Sequence, residues 1–288
     1  MRRNGFDMSV FRDKICIVTG GGSGLGRALC RQLAEKGAVV IVADLNEEAA
    51  FRVAREIMAG GGHAVALPVD VTIPESVESL VNQSLERFGQ IHYMFNNAGI
   101  AVIGEFRDLP LDEVKKVLNV NLTGVLHGSH VAYRVMARQG FGHIVNTASG
   151  FGLAPGPTNL PYTMSKFGVV GLSETLRLEG LDLGVRVSTV CPGYIRTSLI
   201  EHLRTYRADA KDVLSTIPVR MVEPEDAARL VLQGVEKNRA IIAFPSYVGL
   251  LTFLYRFVPG LFLRYSLRTI RGFRKIRKQG SGGGGSDG

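Results

Sequence analysis

Short apolar runs alternate with segments of helical period along most of the chain. The first, Lys14-Ile15-Cys16-Ile17-Val18, is almost continuously apolar and β-rich, which predicts a strand buried on both faces. Similar runs recur at 38–43, 63–69, 91–95, 143–148, 185–191 and 240–243. Helical patterns separate them: one at 27–34, one at 46–59 that stops at Gly60-Gly61-Gly62, and one opened by Pro74 at the first-turn position where proline is tolerated. Seven buried strands alternating with helices predict an α/β fold. Its core is one doubly wound, parallel, seven-stranded sheet with helices on both faces, in a single domain.

Past residue 243 the pattern changes. Residues 246–255 are strongly apolar, Arg256 intervenes, and 257–263 are apolar again around Pro259-Gly260. From there Arg264, Arg268, Arg271, Lys275 and Lys278 recur at three-to-four spacing, with Leu263, Leu267, Ile270 and Phe273 on another face. This predicts a basic amphipathic helix suited to an anionic membrane surface. Arg256 and Pro259-Gly260 make the segment a poor spanning helix. A subunit contact is the alternative reading, and a nucleic-acid arm ranks third, so no nucleic-acid partner is expected. The chain divides into a lead-in (1–13), the main domain (14–245), this extension (246–279) and a glycine-rich, linker-like tail (280–288) left out of the fold.

Composition sharpens two points. The net charge of +8 is uneven: Arg256, Arg264, Arg268, Arg271, Arg274, Lys275, Arg277 and Lys278 have no acid among them, and the remainder is near balance. A local anionic partner is implied rather than a generally basic protein. Cys16, Cys30 and Cys191 each fall in an apolar pattern, as buried free thiols in a reducing compartment would. No Cys/His cluster has metal-ligand spacing, so no metal is expected. Met1-Arg2-Arg3 runs into Asn4-Gly5 rather than an apolar leader, which predicts a cytoplasmic protein, with peripheral membrane association through the extension.

The chemistry begins at Thr19-Gly20-Gly21-Gly22-Ser23-Gly24-Leu25-Gly26, between the first strand and the first helix, the context of a dinucleotide-binding turn. Gly20 permits the tight turn, Gly24 lets backbone approach a pyrophosphate, and Gly26 lets the helix pack close to the sheet. Ser23 and Leu25 complete the segment whose free N–H groups face the phosphates. Asp44 ends the second strand, where a carboxylate accepts hydrogen bonds from ribose hydroxyls and repels a 2′-phosphate. NAD(H) is therefore favoured over NADP(H); the latter stays possible through an Arg27 that reaches a phosphate, the favoured reading of Arg27 being a solvated side chain on the first helical turn.

Tyr162 and Lys166 stand four apart, on one face of a helix, thirteen residues after Ser149. An ammonium beside a phenol favours the phenolate and lowers its pKa, which suits proton exchange with an alcohol near neutral pH. The informative residues gather at predicted strand ends: Asp44, Asp70, Asn96-Asn97-Ala98-Gly99, Ser149 and Pro192-Gly193. Ligands of such sheets bind in the crevice beyond those ends.

In order and spacing, the glycine turn, Asn96-Asn-Ala-Gly99, Asn121, Ser149, Tyr162-x-x-x-Lys166 and Pro192-Gly193 resemble the short-chain dehydrogenase/reductases, from about Lys14 to Ala243. The resemblance implies a Rossmann-like core and a role for each residue. Tyr162 is the acid/base; Lys166 lowers its pKa and hydrogen-bonds the nicotinamide ribose; Ser149 holds and polarises the substrate oxygen. Asn121 interrupts a long helix and holds a water of a proton relay. Asp70 reads the adenine amino group with Val71 supplying backbone, and Asn97, Ala98 and Gly99 line the adenosine side. Ile195 and Thr197, after Pro192 and Gly193, grip the nicotinamide carboxamide; a helix N-cap is the plainer role for Thr197. The family also implies a homodimer or homotetramer and a lid at about 194–220. The lid's Leu199, Ile200, Leu203, Tyr206, Val213, Leu214 and Ile217, with a wall at 151–157, carry few charges, which favours a hydrophobic substrate. The expectation is an NAD(H)-dependent oxidoreductase interconverting a hydrophobic secondary alcohol, steroid-, retinoid- or lipid-like, and its ketone. The alternatives are an NADP(H)-dependent carbonyl or 3-oxoacyl reductase and, outside enzymes, a cofactor-binding scaffold or sensor. His92, His127, His130 and His143 receive no role.

Overall fold

The computed structural model describes residues 9–197, 199, 203–215 and 220–277. Most of the lead-in, Ile200 and Ile217 of the lid, Lys278 and the glycine-rich tail lie outside the described residues. The strands are β1 (Ile15–Thr19), β2 (Val39–Asp44), β3 (His63–Pro68), β4 (Tyr93–Asn96), β5 (Val102–Ile103), β6 (Gly142–Thr147), β7 (Val185–Pro192), β8 (Arg204–Thr205) and β9 (Ile241–Phe244). Seven of them form one parallel sheet in the order β3-β2-β1-β4-β6-β7-β9. These are the seven predicted strands, displaced by no more than two residues at either end.

The near-continuous apolar runs follow from burial on both faces. Cys16 and Val18 of β1 point into one core with Leu29, Leu33, Val53 and Val231. Ile15 and Ile17 point into the other with Leu80, Val81, Ala132 and Met136. Burial of each such Leu or Ile side chain stabilises the fold by about 1.5–3 kcal/mol. The first face is covered by α1 (Gly24–Glu35), α2 (Glu47–Ala59) and a helix at Pro224–Glu236; the second by α3 (Pro74–Phe88) and α5 (Gly124–Gln139). Between α3 and α5 runs α4 (Leu111–Leu118), joined to α5 through a π-helical turn at Asn119–Thr123. The helix carrying Tyr162 and Lys166 is α6 (Leu160–Glu179).

Three short elements were not predicted. β5 and β8 pair in parallel as a separate two-stranded ribbon, each too short to show a period. A short helix, α7 (Ala210–Ser215), follows β8 and precedes α8 (Pro224–Glu236).

The extension forms two helices, α9 (Ser246–Phe257) and α10 (Pro259–Ile276), bent by 118° at Pro259. Proline there has no N–H to continue α9 but suits the first turn of α10. Among the described residues no single helix is long and apolar enough to cross a membrane; α9 and α10 meet that test only as a bent pair. The basic cluster has no acid beside it in sequence, but in space Arg274 meets Glu105 and Arg277 meets Asp108. Phe273, expected on a free apolar face, is buried.

Candidate active site

The glycine turn wraps from β1 into α1 at the point where the sheet order reverses, between β1 and β4. Gly20 (φ 65°) and Gly24 (φ 49°) adopt left-handed backbone, where other residues are strained. A Cβ on Gly26 would overlap the Gly20 carbonyl oxygen, so only glycine lets α1 start this close to the strand. Thr19, missed as a site residue although it opens the motif, staples the turn to β4. Its hydroxyl donates to the Phe95 carbonyl and accepts from the N–H groups of Asn97 (3.0 Å) and Ala98 (3.2 Å). The Asn97 amide donates to the Thr19 carbonyl at 3.1 Å. Asn97 and Ala98 thus shape the crevice floor. Gly99 lies between that floor and Asn121, whose Oδ1 a Cβ would approach to 3.3 Å.

The crevice fits a dinucleotide. The first turn of α1 carries no acidic residue and no side-chain cap, unlike α2, which is capped by Asn46 and begins Glu47-Glu48. Its N–H groups therefore suit a pyrophosphate, next to Ser23 and Leu25. Asp44 accepts from Gly22 N through Oδ2 and from Asn46 N through Oδ1, each at 2.9 Å. That fixes the carboxylate at the end of β2 with lone pairs left for ribose hydroxyls. Arg27 donates twice to Glu56, at 3.1 and 2.9 Å, and so is not directed at the crevice. Asp70 Oδ1 accepts from Thr72 N and from Thr72 Oγ1, at 2.9 and 2.7 Å. The Val71 carbonyl accepts from His127 Nδ1 at 2.9 Å. When bound, a nicotinamide nucleotide supplies the hydride acceptor or donor.

Across the crevice stand the groups that hold protons. Ser149 follows β6 by two residues, and its Oγ accepts from Phe151 N at 3.2 Å. The Lys166 ammonium, one helical turn from Tyr162, lies 5.4 Å from its ring centre and donates to the Thr147 carbonyl at 2.7 Å. Burial pulls Lys166 down to about 8, opposed by the Cys191 thiol. The Tyr162 phenol is not lowered as expected. Burial pushes it up to about 12; the hydrogen bond from Ser149 pulls it back, and Cys191 pushes it further up. The expectation weighed the lysine's charge without the burial of both groups, which works against each charged form. Burial therefore favours the protonated phenol over the phenolate.

Asn121 sits in the π turn: Nδ2 donates to Ile100 O at 2.8 Å and to Ser165 Oγ at 3.4 Å, and Oδ1 accepts from Ile100 N at 2.8 Å. It ties the interrupted helix to the strand-β4 loop. Ile195 is buried and bridges to Val222, while Thr197 is partly buried in a bend. Pro192 ends β7. A Cβ on Gly193 would overlap the Tyr247 hydroxyl, which accepts from Tyr194 N at 2.9 Å. Tyr247, on the first turn of α9, went unnoticed in the sequence; the glycine opposite it was the available signal. Phe151 stands edge-on to both Tyr162 and Tyr194, with ring centres 6.4 and 6.1 Å apart. His92 accepts from Ile15 N, and His143 lies 2.8 Å from Ser188 Oγ; burial holds both well below the usual histidine range. The three cysteines are free and buried, and no metal-binding group occurs among the described residues.

A proton donor set beside a dinucleotide cradle suits hydride transfer, because the proton and the hydride then have separate carriers. The class defined is a nicotinamide-dependent oxidoreductase. The family model described as short chain dehydrogenase matches residues 14–208, and the chain belongs to that family. It is 34% identical over 240 residues to a cyclohexanol dehydrogenase of Acinetobacter sp. (strain SE19), covering 83% of this chain and 94% of the relative. It is 33% identical over 190 residues to a D-beta-hydroxybutyrate dehydrogenase of Rhizobium meliloti (strain 1021), covering 65% and 74%. Its fold matches a short chain dehydrogenase/reductase from Burkholderia phymatum solved in complex with NAD, with a TM-score of 0.79 and 29% identity over 85% of this chain and 93% of that one. The protein is an oxidoreductase that acts on alcohol groups with a nicotinamide cofactor.

Proposed function

We propose that the enzyme uses NAD(H) to interconvert a hydrophobic secondary alcohol and its ketone. The observation that carries the reading is the aromatic wall beside the acid/base: Phe151 stands edge-on to both Tyr162 and Tyr194, with Lys166 the cation at the Tyr162 ring. Such a wall favours an apolar substrate body beside a single polar oxygen. Tyr162 gives its proton to the carbonyl oxygen in reduction and takes it back in oxidation. Ser149 holds that oxygen, Lys166 holds the nicotinamide ribose, and Asn121 supports the loop behind them. Asp70 and Val71 meet the adenine, with Ile195 and Thr197 on the nicotinamide side. The preference for NAD(H) over NADP(H) is supported by Asp44 at the ribose position and by the engagement of Arg27 with Glu56. The relative named for cyclohexanol fits a cyclic apolar alcohol. Absorbance at 340 nm with NAD⁺ or NADP⁺ and a panel of cyclic, steroid, retinoid, long-chain and short polar alcohols tests this. Faster turnover of apolar alcohols with NAD⁺ is expected, with the preference relaxed in Asp44→Ala. NADP⁺ preference would favour a carbonyl reductase, and NADH binding without turnover of any alcohol or ketone would favour a scaffold.

A second reading concerns the extension, which we propose rests on an anionic membrane surface. Leu250, Phe253, Phe257, Val258, Leu261, Leu263, Tyr265 and Leu267 are exposed on α9 and α10. Arg256, Arg264, Arg268, Arg271 and Lys275 beside them are exposed and make no ion pair among the described residues. Apolar side chains flanked by unpaired cations suit the headgroup boundary. Sedimentation with phosphatidylglycerol vesicles, weakened by salt, is the expected result; a protein that stays in solution with such vesicles at low salt sinks the idea. Exposed Leu178, in the last turn of α6, and Leu181, just after it, support self-association as a homodimer or homotetramer.

A further inference from the structure

The last two turns of α10 lie across the lid. Phe273 packs in one buried cluster with Ile103 of β5 and with Ala208 and Val213 of the lid, flanked by Leu203 and Ile276. Beyond it, Arg274 places Nε and Nη2 on Glu105 Oε1 at 2.8 and 2.7 Å. Arg277 grips Asp108 with both arms of its fork, Nε on Oδ2 at 3.1 Å and Nη2 on Oδ1 at 2.8 Å. Both carboxylates are shielded, their side chains 8% and 9% exposed. Arg107 also meets Glu105, at 2.6 Å, and Arg207 of the lid lies 4.0 Å from Asp108.

These acids sit on the turn that follows β5, and β5 is the strand on which the lid is hung. Val102 and Ile103 pair with Arg204 and Thr205, Tyr206 N donates to the Ile103 carbonyl, and Arg204 meets Glu113 at 2.9 Å. A continuous chain of contacts runs from the C-terminal helix through Glu105 and Asp108 to β5, β8 and α7. The extension is tied at its other end too, since Tyr247 and Val248 of α9 lie on Gly193 and Gly150 beside Ser149. It therefore reaches from the loops after β6 and β7 to the lid.

We propose that Arg274 and Arg277 are positioning residues for substrate closure. They hold Glu105 and Asp108, and through them the segment 203–215, in place. They touch no reacting atom, so their effect falls on substrate capture rather than on the chemical step. A lid ordered in advance spares the bound state the entropy of ordering it. Without the two arginines the shielded acids keep only Arg107 and Arg207, and the lid must be ordered anew by each substrate molecule.

The inference rests on the alcohol dehydrogenase reading for its kinetic test, which uses the full chain carrying Arg274→Gln with Arg277→Gln. The KM for the best apolar alcohol should rise about tenfold, the scale expected when a loop loses its preorganisation. Meanwhile kcat should stay within about twofold and NADH affinity should not change. Arg274→Lys with Arg277→Lys should recover most of the KM. A folded Gln variant with unchanged KM overturns the proposal, as does a fall in kcat at constant KM. If that variant does not fold, Glu105→Gln with Asp108→Asn must give the same rise in KM, and no rise overturns it. If the wild type turns over no alcohol, the functional reading fails but the latch is still readable: limited proteolysis within 203–215 should be faster in the Gln variant, and equal rates overturn it.

Discussion

The cofactor side and the substrate side of the crevice are held by different kinds of contact. On the cofactor side the bonds are backbone-centred: Asp44 accepts from Gly22 and Asn46, Asp70 from Thr72, and the Thr19 hydroxyl from Asn97 and Ala98. On the substrate side they are made by side chains between distant segments. Tyr194 meets Tyr247, 53 residues away; Arg204 meets Glu113, 91 away; Arg274 meets Glu105, 169 away. The cofactor side is a local device carried by one β-α-β unit and a neighbouring strand end. The substrate side is an assembly of the β5 turn, the lid and the C-terminal helix, and each piece can vary while the cofactor cradle stays intact. The proton-bearing pair stands where the two sides meet.

The largest effect that divides the two sides comes from Tyr162→Phe. The ring and its edge-on contact with Phe151 survive, but the hydroxyl that carries the proton is gone. We expect kcat to fall by about 10²–10⁴-fold, the usual scale of a lost general acid/base. NADH binding, followed by fluorescence, should stay near wild type. Unchanged turnover would refute the role of Tyr162, and a parallel loss of NADH binding would mean that the two sides are not separable.

Gly26→Ala tests the cofactor side by itself. The added Cβ overlaps the Gly20 carbonyl and comes within 2.7 Å of Asn97 Nδ2, so α1 must move away from the turn. Overpacking of this kind costs about 1–3 kcal/mol. We expect a lower melting temperature and an NADH dissociation constant raised by about tenfold or more, the affinity equivalent of about 1.4 kcal/mol. Proteolysis of 203–215 should not change. If the lid became as sensitive as the cradle, the local character of the cofactor side would be wrong.

The same division explains what was legible in the sequence. Gly20, Gly24, Gly26 and Asp44 obey rules of backbone conformation and spacing that act over about 20 residues, so their places follow from the string itself. The seven strands were legible because burial on both faces leaves continuous apolar runs. β5 and β8 were not, since two residues carry no period. The partners of Arg274 and Arg277 were hidden for another reason. A run of cations without acids reads as a free basic face, and only the fold brings Glu105 and Asp108 to it. Phe273 was correctly placed on an apolar face, but the face could not say what would cover it. The Tyr162 phenol went astray in the same way. Lys166 is visible four residues on, whereas the burial that overrides its charge is supplied by residues from several segments.

The smallest expected effect is a titration that sharpens the substrate side. Every charged group facing the two acids is a cation: Arg107 and Arg274 at Glu105, Arg277 near both, and Arg107 and Arg207 at Asp108. The hydrogen bond from Arg274 is the main force holding Glu105 below its ordinary 4.5, and that from Arg277 holds Asp108 below its ordinary 3.8; partial burial opposes both. A carboxylate with a depressed folded pKa contributes stability that is present above its unfolded pKa and lost as pH falls through its folded one. The latch is therefore fully set at neutral and mildly acidic pH, and it opens only below the ordinary carboxylate range. Carbon-detected NMR of the two carboxyl groups should give midpoints below 4.5 and 3.8 in the wild type. In Arg274→Gln with Arg277→Gln both midpoints should move up, toward those values. Midpoints already at the ordinary values in the wild type would mean that water, not the arginines, surrounds these acids. The C-terminal helix would then lie against the lid through Phe273 alone, and the substrate side would rest on packing rather than on paired charge.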